Sequence, residues 1–317
     1  MIKLAKISYN AKLSTLFVLI LLIGFIGTLN IVNTGSEKED NKLFIVTTTG
    51  MLGDAIKNIG SDKVKVKALM GPGIDPHLYT AKAKDLVDIY DADIIIYNGL
   101  HLEASMSKVF AGIQNKKSFA VGDYLPREVL IENFAFSEYP DPHIWFDVSI
   151  WQRIITVIYT ILIEADPLNQ DYYTSNYNTY LDKLSDLDNY IISKVQELNQ
   201  SKRILVTAHD AFSYFGKRYN FTVLGLQGIS TATQAGSADV SNLANIIVKN
   251  KIKAIFVETS VSQQSIDAVR ENCLNQEWNV NIGGNLYSDA MGDAGTFEGT
   301  YIGMFTINID TIVNGLK

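Results

Sequence analysis

The chain has 317 residues, enough for two domains of ordinary size, and 47% of them are hydrophobic against 19% charged, which excludes wholesale disorder. The formal net charge is −7 and no basic block or arginine stripe occurs, so nucleic acid is not expected as a partner. The single cysteine, Cys273, can form no internal disulfide and reads as a helix core residue.

The N-terminus stands apart from the rest. Lys3, Lys6 and Lys12 precede or open the apolar stretch that runs from Leu16 to Gly27, and no acidic residue occurs before Glu37. A positive flank, an apolar run and then polar residues is the layout of a secretory signal or an uncleaved membrane anchor. No small-residue cleavage site is evident, which favours retention as an anchor; no cysteine follows the run to accept a lipid, so the expectation of export rests on this N-terminal layout alone.

A strand is predicted at Leu43–Thr49, a helix at Met51–Ile59 and a strand at Val64–Met70, followed by the loop GPGIDPHLY. A helix from about Ala81 to Tyr90, a buried strand at Asp93–Gly99, a helix to about Ile113 and the short strand SFAV come next. This alternation implies a parallel sheet with helices on its faces. From Asp166 to Ser201 the rhythm breaks. Tyr177, Leu181, Leu184, Leu187, Ile191 and Val195 recur at threes and fours with no intervening strand. One helix of roughly 30 residues is predicted, well above the ordinary ~11 to 12, and it reads as a strut between two α/β halves. Strand and helix then alternate again through Arg203–Ala208, FTVLGLQ, Lys253–Thr259 and VNIGGNL, ending in a helix from about Thr300. The predicted organisation is a signal or anchor with a polar spacer over residues 1–41 and an N-terminal α/β lobe over 42–168. A linking helix over 169–200 and a C-terminal α/β lobe over 201–317 complete it.

The chain has four histidines, and two of them, His77 and His143, follow the same Asp-Pro. Ligands of open α/β sheets bind beyond the carboxyl ends of strands. His77 follows a predicted strand, His209 follows another, and His143 lies in a loop before an apolar helix. Proline restricts its own φ and the residue before it, so an Asp-Pro-His turn can hold an imidazole in one direction. Its aspartate can orient a ring N–H, as carboxylates do for metal-bound histidines, or cap the following turn. Imidazole suits zinc, copper, iron and nickel, and an added carboxylate extends the range towards manganese. Asp289, in NLYSDAMGDAG, is the leading carboxylate candidate, with Asp293 as its rival. Glu103, Asp210 and Asp147 also neighbour a histidine, but helix capping or surface exposure accounts for each.

Taken together, GPGIDPHLYTAKAKDL, the NGLHLE stretch, PDPHIWFDV, TAHDAFSYF and LYSDAMGDAGTFEGTYIGMFTINIDTIV resemble the metal-binding receptors of ABC importers for zinc and manganese, of the TroA-like type. The resemblance spans about Leu43 to Lys317. It implies two α/β lobes joined by one long rigid helix, with the metal at the lobe interface. It implies His77 and His143 from the first lobe and His209 and Asp289 from the second as ligands, and leaves His101 out. It also implies an extracytoplasmic monomer that passes its ion to a membrane permease. The span from Glu103 to Pro142 lacks the histidine-rich loop of many zinc-dedicated members, and His209 stands where manganese-preferring members often have glutamate. Three nitrogens and one carboxylate favour zinc, with manganese next. A metal-dependent hydrolase is the alternative from another class, although neither H-E-x-x-H nor G-x-S-x-G occurs. An adhesin using the metal as a structural staple is a third.

Overall fold

In the computed structural model, which describes residues 42–113, 116–132 and 139–317, the first half of the chain builds a four-stranded parallel sheet. Its strands are Leu43–Thr47 (β1), Val64–Ala68 (β2), Ile94–Tyr97 (β3) and Lys117–Ala120 (β4), in the order β2-β1-β3-β4. The inner strands β1 and β3 are apolar on both faces because helices cover both sides. β2 lies at the edge and alternates, turning Lys65 and Lys67 to solvent. Helices Gly50–Gly60 (α1), Ala83–Asp91 (α2) and Ser107–Gly112 (α3) make the crossovers. The signal or anchor predicted at residues 1–41 lies outside the described residues.

One predicted helix starts late. After β3 the chain passes through Gly99, Leu100 and His101, all with positive φ, and a 3-10 turn at Ala104–Met106 before α3 begins. Three successive left-handed residues cannot belong to a right-handed helix.

The helix Val148–Ala165 (α4) is apolar around most of its girth because it is core. Asp147 caps it, accepting from the backbone N–H groups of Ser149 and Ile150. A 3-10 turn at Pro167–Asn169 leads into the long helix Gln170–Val195 (α5), 26 residues against the roughly 30 read from periodicity. Its buried stripe is Tyr173, Tyr180, Leu184, Leu187, Ile191 and Val195. It is no free-standing strut, since it packs along α4 and against α1 and the last helix. Polar side chains tie it to both lobes. Tyr172 donates to Asp62 at 2.8 Å and Asn176 to the Ile59 carbonyl at 3.0 Å. Further along, Tyr190 donates to Asp310 at 2.8 Å and Tyr219 donates to Asp188 at 2.8 Å.

The second lobe contains the strands Ile204–His209 (β5), Thr222–Gln227 (β6), Ala254–Glu258 (β7) and Asn281–Leu286 (β8). They form two parallel pairs, β5-β6 and β7-β8; β5 and β7 lie side by side, but no ladder joins them among the described residues. Helices Ser213–Tyr219 (α6), Ser237–Lys249 (α7), Gln264–Asn275 (α8) and Tyr301–Leu316 (α9) surround them, with Cys273 buried in α8 as read. A single apolar cluster runs from Ile45 and Leu52 through Trp151 and Leu187 to Phe215, Phe256 and Phe305, so the two lobes share a core.

Candidate metal centre

Each of the four ligand candidates is placed by a different local device. His77 stands in the loop after β2, and its backbone N–H donates to Asp75 Oδ1 at 2.8 Å. His143 stands immediately before a 3-10 turn at Ile144–Phe146. Its backbone N–H donates to Asp141 Oδ1 at 2.9 Å, and its Nδ1 lies 2.7 Å from the same oxygen. The two Asp-Pro-His turns are therefore used differently. Asp141 orients the ring as well as the backbone. Asp75 fixes only the backbone, and its Oδ2 accepts instead from Thr231 Oγ1 of the second lobe at 2.5 Å. His209 is the last residue of β5, and Asp289 follows β8 by three residues.

The structure brings all four to one buried point. One ligand atom from each lies within 4.8 Å of the others. His77 Nε2 is 3.3 Å from His143 Nε2 and 3.8 Å from Asp289 Oδ2. His143 Nε2 is 3.4 Å from Asp289 Oδ1, and His209 Nε2 is 3.3 Å from Asp289 Oδ2. A tetrahedral cation with ligands at about 2.0–2.1 Å spaces them about 3.3–3.4 Å apart, and three of these four separations lie in that range while the fourth, His77 to Asp289, is longer. His209 Nε2 and both carboxylate oxygens of Asp289 are buried without a hydrogen-bond partner, which leaves them open to a cation.

Burial disfavours charge on each of these histidines and on the aspartate. For His77 burial prevails over the pull of Asp289 and lowers the imidazole to about 3. Burial opposes charge on His143 too, but Asp141 and Asp289 outweigh it and push that ring up to about 9. His209 meets the same opposition and is held well above the ordinary imidazole range by Glu258 and Asp289. Burial works upward on Asp289, yet His209 and His143 hold it well below the usual carboxylate range.

The rival residues lie elsewhere. Asp293 is exposed and outside the group of four, and His101 is exposed and stacked on Tyr139 with ring centroids 4.0 Å apart. Asp147 is a helix cap and Asp210 accepts from Ser213, as capping roles require. Glu103 departs from its expected surface or capping role. It is 4% exposed and accepts from Thr48 Oγ1 and the backbone N–H groups of Asn98 and Gly99, so it anchors the loop beyond β3.

Glu258 was not among the residues singled out from sequence. It ends β7, is 5% exposed, accepts from the His209 backbone N–H at 2.9 Å and sets Oε2 2.6 Å from His209 Nδ1. Its signal was present, for a lone carboxylate closing the apolar strand AIFVE parallels the lone histidine closing ILVTAH. From β6, Gly225 comes close to the chain just after His209: a Cβ there would stand 2.6 Å from the backbone N of Asp210. Trp145 seals the site between lobes, donating from Nε1 to the Ser288 carbonyl at 3.0 Å while its own carbonyl accepts from Tyr301 at 2.7 Å.

Known proteins match this arrangement along almost the whole described chain. The zinc-binding protein TroA of Treponema pallidum is 46% identical over 280 residues, covering 87% of this chain and 90% of that protein. The manganese-binding lipoprotein MntA of Bacillus subtilis is 43% identical over 286 residues, covering 90% and 93%. A solved structure described as the periplasmic zinc binding protein TroA from Treponema pallidum superposes with a TM-score of 0.85, covering 87% of this chain and 99% of that one. Residues 45–315 match the family model ZnuA, zinc-uptake complex component A, periplasmic, and the chain belongs to that family.

Proposed function

We propose that the chain is the extracytoplasmic receptor of an ABC metal importer, binding one divalent transition-metal ion between its lobes and delivering it to a membrane permease. The ion is zinc by preference and manganese next. The observation that carries this reading is the convergence of three buried imidazole nitrogens with a buried carboxylate, all within 4.8 Å of one another. His77, His143, His209 and Asp289 are the ligands. Three nitrogens and one oxygen suit zinc better than the harder manganese ion. The chain acts as a receptor and not a hydrolase. Four protein ligands leave no position for an activated water, and the carboxylates beside the ligands, Asp141 and Glu258, are already engaged by ring nitrogens. Residues 42–168 and 201–317 act as lobes on the brace 169–200, residues 1–41 direct export or hold the chain at the membrane, and the working form is a monomer.

The test is elemental analysis of purified residues 42–317, followed by stripping and competitive reloading with zinc and manganese. One equivalent of metal is expected, retained more tightly as zinc, and lost in His77→Ala and Asp289→Ala. A chain that takes up no stoichiometric metal under any loading condition overturns the reading.

A further inference from the structure

The motif NGLHLE contributes no ligand, yet its surroundings give it a task. We infer that the segment from Asn98 to Ser105 is a positioning clamp that fixes the separation of the two first-lobe imidazoles, and with it the bite this lobe offers to a cation. The inference rests on the receptor reading above and deepens it.

Two side chains of the segment reach outward, and each lands on one of the two Asp-Pro-His turns. Asn98 Nδ2 donates to the Pro142 carbonyl at 3.0 Å, directly before His143. Ser105 Oγ donates to the carbonyl of His77 itself at 2.9 Å. One short stretch thus holds both turns, and the imidazoles they carry meet at 3.3 Å.

The stretch is fit to act as a gauge because it is itself over-determined. Glu103 Oε1 accepts from Asn98 N at 2.8 Å and from Thr48 Oγ1 at 2.7 Å, while Oε2 accepts from Gly99 N at 3.1 Å. The Asn98 carbonyl accepts from Gly122 N at 2.8 Å, fastening the segment to the end of β4. Gly99, Leu100 and His101 carry φ of 77°, 52° and 69°. Leucine and histidine adopt that conformation only where their surroundings compel it. At Gly99 a Cβ would also stand 2.9 Å from the Ala120 Cβ. A left-handed turn held this firmly displaces little when a cation pulls on the turns it supports. His101 takes part in the turn through its backbone, and its ring is left outside against Tyr139.

Ser105 is exposed, so its replacement spares the fold. The experiment compares wild type, Ser105→Ala and Ser105→Thr in the soluble chain from residue 42, alone and in a His77→Ala background. Zinc affinity is read by chelator competition, with metal concentrations raised for the weaker background, and the ligand field is read from the visible d–d absorption of the cobalt(II)-loaded chain. Ser105→Ala is expected to weaken zinc binding measurably but by less than roughly tenfold, because it holds the His77 backbone and not the ring, and to shift the cobalt spectrum. Ser105→Thr should restore both. Without the His77 imidazole, Ser105→Ala should cost nothing further, because the two residues act through one contact. The thermal midpoint of the metal-free chain should not move. Native affinity and spectrum in Ser105→Ala overturn the clamp alone. So does an equal loss in the His77→Ala background, which marks a general structural effect. A wild-type chain that takes up neither zinc nor cobalt overturns the receptor reading and the clamp together.

Discussion

The first lobe presents its two imidazoles from loops, while the second presents His209 from the end of a strand and Asp289 from the stretch just beyond one. His77 and His143 depend on hydrogen bonds to loop backbone, from Asp75 and Asp141 within their own turns and from Ser105 and Asn98 outside them. His209 depends on strand β5 and on Glu258, which reaches across from β7 where no ladder joins the two pairs among the described residues. Asp289 belongs to the β7-β8 side, so His209 is held between two carboxylates of one sheet pair, Glu258 at Nδ1 and Asp289 at Nε2. A loop-borne ligand can be tuned by one hydrogen bond. A strand-borne ligand moves only with its sheet, so its partner across the gap has more to govern.

The strongest way to break this comparison is to remove a strand-borne ligand. His209→Ala leaves Asp289 and Glu258 buried with no imidazole between them, and metal affinity should fall by about 3 kcal/mol or more, roughly two orders of magnitude, in calorimetry. His101→Ala should leave it unchanged; equal losses would remove His209 from the ligand set. Stripping the metal is the next largest effect. With free ion at a hundred times the dissociation constant, binding stabilises the fold by about 2.7 kcal/mol, a gain that scanning calorimetry should see vanish on chelation and shrink to about 0.4 kcal/mol or less in His209→Ala at the same free-ion concentration.

The carboxylates behind the rings sharpen the contrast. Glu258→Gln and Asp141→Asn each remove the charge facing a ligand's Nδ1, and each should weaken zinc binding roughly 10- to 100-fold. Asp75→Asn touches His77 only through its backbone and should cost less than roughly tenfold. If the three variants rank equally in competition titrations, backing of the ring is not what separates them. The smallest effect is expected at the brace. Tyr190→Phe deletes a hydroxyl donated to Asp310 at a partly exposed position, and urea unfolding should register about 0.5–1 kcal/mol with metal affinity unmoved.

Most of this architecture was legible because its periodicities are strong. The continuous apolar runs of β1 and β3, the stripe on α5 and the histidines beyond strand ends each state their structure locally. The repeated Asp-Pro-His was also legible, but repetition suggested equal use, and only the fold shows that Asp141 turns towards its ring while Asp75 turns towards Thr231. What the residues did not disclose depends on partners far along the chain. Glu258 meets His209 across 49 positions, and Asn98 meets Pro142 across 44. Glu103 looked like a surface acid beside a histidine because the left-handed turn that buries it carries no glycine at two of its three positions. The helix expected there was displaced by backbone geometry that helix periodicity does not encode.

The long helix has a further consequence. Its hydroxyl and amide ties to Asp62 and Ile59 at one end and to Asp310 at the other, together with an apolar core common to both lobes, resist any jaw-like opening. On the proposed function, a permease would then distinguish a laden receptor from an empty one by stiffness rather than by outline, chiefly in the stretch after β8, which the Asn98–Ser105 clamp does not hold. Amide hydrogen exchange would show this directly, as slowing upon loading that is greatest after β8 and smaller in the turns around His77 and His143, while α5 exchanges alike in both forms.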